Sequence, residues 1–158
     1  MASGDDLRGL MRYWPHGVAV LTVEHDGQRM GVTVSSLVSL SLEPPLVGVA
    51  LGVHASAVEL VRGAGSFAVS LLAAGQEAVA QHFARGVPPI AHWHGIDTHE
   101  RETGSAPLVA GALGWLECRV AAEHEVGDHI LFVGEVLSVE RGTAAPALVY
   151  RDGGYASS

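Results

Sequence analysis

The stretch Gly31–Pro45, GVTVSSLVSLSLEPP, decides how this chain is read. Thr33, Ser35, Ser36, Ser39 and Ser41 recur among Val32, Val34, Leu37, Val38, Leu40 and Leu42, a pattern that suits an extended segment with one face in a core and the other presenting hydroxyls. Ser35 and Ser36 are adjacent, so they cannot both point the same way, and the strand is expected to become irregular there. Pro44 and Pro45 restrict the exit and lack backbone donors. An orderly continuation of the ladder through them is not expected.

Outward from this stretch, Gly17–Val23 (GVAVLTV), Leu46–Leu51 (LVGVAL), Phe67–Leu72 (FAVSLL), Gly114–Val126, Ile130–Val139 and Ala147–Tyr150 read as further strands. Each is a run of residues that fit a pleated, half-buried surface. His25, Asp26 and Gly27 make a hairpin connection to Gln28. A first helix, capped by Asp5 or Asp6, carries Leu7, Leu10, Met11 and Trp14 on one stripe and is limited by Pro15. A second is expected at Ser56–Arg62, with Val58 and Val61 toward the core, and a third at Gln76–Phe83, with Val79 and Phe83 one turn apart. From Arg85 to Leu108, prolines, glycines and polar residues predict an excursion that can cover a pocket, anchored by Ile90, Trp93 and Ile96. RDGGY makes a turn before Tyr155. Roughly six or seven strands without repeated helical crossovers predict a mostly β fold, an antiparallel barrel with peripheral helices.

Composition narrows the class. The 158 residues favour one domain, and 48% hydrophobic content with only 6% aromatics predicts a largely aliphatic core. The formal charge is -8 and the nine basic side chains are all arginine, which disfavours generic attraction to nucleic acid or to an anionic membrane. Cys118 is the only cysteine, so an intrachain disulfide is impossible and a disulfide-dense secreted scaffold is excluded. The opening residues do not form a secretory signal, and LEPPLVGVALG is too short to span a bilayer. A soluble, cytoplasmic protein with no nucleic-acid or membrane partner is expected.

Several residues can carry chemistry. The hydroxyls of Thr33, Ser35 and Ser36 can bond a ring, a polyol or a phosphate, although serines also serve ordinary turns. His54 and Ser56 form a second polar patch; at a helix start, Ser56 and the unpaired amides can hold phosphate or simply cap. Arg85 has the donor fork for a phosphate, or solubilises the surface. In Gly127-Asp128-His129, Asp128 can orient a neighbour and His129 can donate to a bound cofactor, while Gly-Asp also suits a plain turn. His92, His94 and His99 do not match the HExxH pattern, and no metal site is expected. Cys118 beside Glu117 lacks a nucleophile–base order, so it reads as structural. Trp14, Trp93 and Trp115 read as packing residues, with shielding of a cofactor the lesser alternative.

Taken together, GVTVSSLVSLSLEPPLVGVAL, HAS, FAVSLLAAGQEAVAQHFA, LECRV, GDHILFVGEV and ALVYRDGGY resemble, in order, the flavin reductase-like family with an FMN-binding split β-barrel. The resemblance covers residues 7–155 as one domain. It implies a homodimer of split barrels with flavin in a cleft near the subunit contact. It also implies hydride transfer from NADH or NADPH to FMN, or FAD, with reduced flavin passed to a flavin-dependent monooxygenase partner. The segment Thr33, Val34, Ser35, Ser36, Leu37 would contact flavin through side chains and backbone, and LEPP would frame its ring. His54, Ala55 and Ser56 would contact the ribityl chain or phosphate, with Arg85 a phosphate candidate. The GDH match would place His129 on the nicotinamide side. This chain departs from the family in having VTVSS in place of a TxNS or TxSS pattern and in lacking a basic residue in HASA. Two alternatives remain open: a non-enzymatic FMN-binding electron-transfer protein, and a split-barrel oxidase acting on an organic substrate.

Overall fold

The computed structural model describes residues 1–101, 104 and 106–158. Along the chain run α1 (Gly4–Met11), β1 (His16–Gly17), β2 (Ala19–His25), β3 (Gln28–Val34), β4 (Val38–Leu42), β5 (Pro45–Gly52), α2 (Ser56–Ala64), β6 (Ser66–Leu71) and α3 (Glu77–Ala84). After a 3-10 turn at Pro89–Ala91 come β7 (Thr98–His99), β8 (Leu108–Val109), β9 (Gly114–Val126), β10 (His129–Arg141), β11 (Leu148–Arg151) and β12 (Gly154–Ser157). Seven strands form one antiparallel sheet in the order β3-β2-β6-β9-β10-β5-β4, and β1, β11 and β12 form a second. This is the split-barrel class of fold, mostly β with peripheral helices.

The GVAVLTV run is apolar except for Thr22 because β2 is covered on both faces. Ala19, Leu21 and Val23 join the main core with Phe67, Val69, Phe132 and the α2 residues Val58 and Val61, while Val18 and Val20 face α3 through Ala80 and Phe83. Phe67 and Phe132 are almost wholly buried, each worth about 1.5–3 kcal/mol against exposure. Asp26 and Gly27 turn β2 into β3 with φ of 51° and 76°, the mirror-image turn that matches strand twist, as expected from the sequence.

The opening stretch divides at Ser35–Leu37, which leave the ladder between β3 and β4. The exit differs from expectation: Pro45 is the first residue of β5 and pairs with Leu42 across a tight Glu43–Pro44 turn. A proline is tolerated at the start of a strand, where the missing donor removes no interior bond. The first helix also differs. Its cap is Ser3, whose hydroxyl accepts from the Asp6 amide while Asp6 accepts from the Ser3 amide, so Asp6 is the third residue of a capping box and not the cap. Its apolar stripe is exposed. The end of α1 is held where the Asp152 amide donates to Arg12 and the Arg151 guanidinium to Tyr13.

The excursion is anchored by Trp93 and Ile96, which pack beside α3, but Ile90 is exposed. The inward residue is instead His92. The portion of the excursion formed by residues 102, 103 and 105 lies outside the described residues. Beyond it, Thr22 donates its hydroxyl to Pro107 at 2.5 Å and Arg101 pairs with Glu117 at 2.6 Å, tying the returning chain to the sheet.

Candidate functional site

At the end of β3 the chain opens into a cleft of about 200 Å³. Thr33, Val34 and Ser35 form one wall, Ala84 at the end of α3 a second, and Tyr150 and Tyr155 on the β11–β12 hairpin a third. Local chemistry explains each wall. Val34 is buried in the barrel core, and Thr33 Oγ1 donates to the Ala80 carbonyl at 2.6 Å, fixing β3 against α3. With its two predecessors committed, Ser35 is left exposed at the cleft, its hydroxyl unpaired among the described residues.

Ser36 and Leu37 face elsewhere. Ser36 Oγ donates to the Ala50 carbonyl at 2.8 Å and accepts from the Ala50 amide at 3.0 Å, and Leu37 packs on the barrel core. Of the three hydroxyls singled out in the sequence, two are therefore bonded within the protein. Arg85 follows Ala84 in extended conformation and is exposed, and it does not line the cleft.

A second polar group stands at the far end of β5. His129 pairs with Gly52, and the Val53 amide donates to the Asp128 carbonyl at 2.9 Å, so the His54–Ser56 loop and the Gly127–Asp128 turn share one end of the barrel. The helix cap is Ala55, which makes no side-chain bond, and Ser56 is the first helical residue; both His54 and Ser56 are exposed. Gly127 has φ of 61°, and the two-residue turn it opens sets His129 at the mouth of the hairpin. His129 Nδ1–H donates to Asp128 Oδ1 at 2.7 Å, which turns Nε2 outward and holds the Asp128 carboxyl below the usual carboxylate range.

Sequence reasoning missed Tyr150, Tyr155, Val18 and Ala84 as cleft residues. The rings of the two tyrosines meet edge to face at 5.4 Å, and burial pushes the Tyr155 phenol up. The available signal was RDGGY itself: Asp152 and Gly153 repeat the mirror-image turn of Asp26 and Gly27, and β12 pairs Tyr155 with Tyr150. Two of the three histidines of the excursion point to different neighbours. His92 bonds Gly31, while His99 stacks on Trp115 at 3.8 Å and pairs with Glu140 at 2.9 Å. Trp115 is core and donates to Val109, whereas Trp14 is exposed. Cys118 is buried, and desolvation raises its thiol to about 12, which leaves it inert as a nucleophile.

The cleft fits a flavin in its chemistry. Ser35 and the phenols offer bonds to a polyol, Val18 and Ala84 give an apolar surface without bulk, and the exposed Arg85 is the residue next to Ala84 in sequence. Comparison with known proteins points the same way. Residues 11–158 match the family described as flavin reductase like domain. An NADH-dependent FAD reductase from Streptomyces globisporus is 39% identical over 149 residues, covering 93% of this chain and 81% of that one. The reductase component of 4-hydroxyphenylacetate 3-monooxygenase from Thermus thermophilus is 43% identical over 139 residues, covering 88% and 86%. Among solved structures, the NADH:FAD oxidoreductase SgcE6 of Streptomyces globisporus C-1027 superposes with a TM-score of 0.91 at 36% identity, covering 99% of this chain and 96% of that one.

Proposed function

Because the chain belongs to the flavin reductase-like family, we propose that it is an NAD(P)H:flavin oxidoreductase that moves hydride from NADH or NADPH to FMN or FAD and supplies reduced flavin to an oxygenase component. The observation that carries this reading is the cleft in which the Ser35 hydroxyl, Ala84 and two tyrosines converge, within a chain matched to the family almost end to end. When bound, the flavin supplies the hydride-accepting centre.

The protein's task is then to orient and to shield. Ser35 and the backbone of Thr33–Leu37 hold the flavin in one orientation; Thr33 and Ser36 act by keeping that backbone rigid. His54, Ala55 and Ser56 with the first amides of α2 serve the ribityl chain or phosphate, and Arg85 is the other phosphate candidate. His129 is the catalytic-side residue. Asp128 engages its Nδ1, which leaves Nε2 to bond the amide group of the incoming nicotinamide and line it up. We take the active unit to be a homodimer of one-domain subunits (residues 7–155), working in the cytoplasm. In the described residues no helix is long and apolar enough to cross a membrane.

The test is anaerobic absorbance of the purified protein mixed with FMN or FAD. Addition of NADH or NADPH is expected to bleach the oxidised-flavin bands over repeated turnovers. Stable bands with either nicotinamide, in the presence of bound flavin, would reject the reductase reading.

A further inference from the structure

His92 is buried to 6% exposure, and the reaction as proposed makes no use of it. Its Nε2 lies 2.8 Å from the amide nitrogen of Gly31 and 2.8 Å from the Gly31 carbonyl oxygen. β3 ends the seven-stranded sheet, paired with β2 alone, so these two backbone groups point off an open edge. One ring nitrogen thus takes the place where a neighbouring strand would have made two bonds. With the proton on Nδ1, Nε2 accepts from the Gly31 amide; with the proton on Nε2, the ring donates to the carbonyl. Two residues upstream on the same edge, the Arg29 carbonyl accepts from Trp93 Nε1 at 3.2 Å.

The backbone of His92 is held in turn. His82 on α3 donates Nε2–H to the His92 carbonyl at 2.7 Å, and Thr33 on β3 donates to Ala80 on α3 at 2.6 Å. Three bonds therefore close a triangle: β3 to His92, His92 to α3, and α3 back to β3. Phe83 fills its centre, with ring centres 5.0 Å from His82, 5.3 Å from His92 and 5.0 Å from Trp93. Glycine is required at position 31 by this close approach, since a Cβ there would stand 2.7 Å from the Phe83 ring.

Two corners of the triangle run straight into the cleft. Thr33, Val34 and Ser35 follow Gly31 along β3, and Ala84 and Arg85 follow His82 along α3. We propose that His92, buttressed by His82, is a positioning residue that fixes the Thr33–Ser35 wall of the cleft against the Ala84 wall, from which Arg85 follows; this rests on the flavin reading above. Without the brace the Thr33–Ala80 bond is left to hold the two walls together, and their register loosens. A ligand that must touch both walls then suffers more than one that touches a single wall.

FMN and riboflavin separate these cases, because they share the ring and ribityl chain and differ by the phosphate. Both are titrated into wild-type protein and into His92→Phe, His92→Gln and His82→Phe, with thermal midpoints and steady-state kinetics alongside. In His92→Phe the FMN Kd and the flavin KM are expected to rise about tenfold, riboflavin affinity to change less than about threefold, and kcat at saturating flavin to stay within about twofold. His92→Gln, which restores a donor and an acceptor, should recover most of the loss. If His92→Phe does not fold, His82→Phe carries the same expectation through the second bond of the brace. Parallel losses for FMN and riboflavin, or unchanged affinity for both in a folded variant, would overturn the positioning role. Wild-type protein that binds neither flavin would remove the flavin reading, and this role with it.

Discussion

The hydroxyl of Ser36 donates to the Ala50 carbonyl and accepts from the Ala50 amide, so one side chain closes both backbone groups of a strand residue. Ser35, one position earlier, is exposed at the cleft with its hydroxyl unpaired among the described residues. Neighbouring side chains take opposite sides, and here one of two identical residues is committed to the fold while the other is open to the cleft. Substitution separates them. Ser36→Ala leaves two partly buried backbone groups without partners and is expected to cost about 1–2 kcal/mol, seen as a fall of a few degrees in the thermal midpoint. Ser35→Ala is expected to leave the midpoint in place and raise the flavin Kd about fivefold, the loss of one hydrogen bond. Calorimetry and flavin titration on the two single variants check both statements. A midpoint unchanged in Ser36→Ala would mean that the Ala50 bonds are exchanged for water at no cost.

Among the elements, the β9–β10 hairpin was the most legible, because two long sheet-forming runs flank a Gly-Asp pair that turns one directly back onto the other. The strands that were missed were short or read as loop. β1, β7 and β8 have two residues each, below the length at which a period can be recognised. β12 was hidden behind its own turn signal. The excursion was misread at Ile90 for a different reason: the segment's anchor is a polar side chain whose partner, the open edge of β3, lies 61 positions away. Nothing in local hydrophobicity records such a contact. The same hairpin that was easiest to read also carries His129, and its rigidity allows a clean prediction. Since His129 is exposed and bonds only its neighbour Asp128, His129→Ala should leave folding and flavin affinity unchanged. Rapid-mixing measurements at saturating NADH should show hydride transfer slowed about tenfold or more, or a weakened nicotinamide affinity of that size. A variant with wild-type values for both would remove His129 from the reaction.

On the scale of the whole molecule, the distribution of exposed apolar groups bears on assembly. On β5, Val47, Val49 and Leu51 enter the core, which leaves Gly48 on the outer face. Around Gly48 lie Val38 and Leu40 of β4 and Leu131 of β10, close enough that a Cβ at 48 would stand 3.0–3.3 Å from all three. Val38 and Leu40 are nearly half exposed, so this outer face is a flat apolar surface on a chain of formal charge -8. It is continuous with the loop at the cleft, because Ser36 is bonded to Ala50 on the same strand and residues 35–37 lead directly into β4. A second copy of the chain meeting this face by two-fold symmetry would bury it and bring each partner to the rim of the other's cleft, as the proposed homodimer requires. Each chain has a mass of 16.4 kDa, so light scattering after size exclusion should give about twice that value. Leu40→Glu places a charge in the centre of the face and is expected to yield a folded monomer. Its flavin affinity should fall together with the dimer fraction and recover at high protein concentration, because in the proposed homodimer the partner completes the cleft. A wild-type monomer with full turnover, or a Leu40→Glu variant that remains dimeric, would place the contact elsewhere on the molecule.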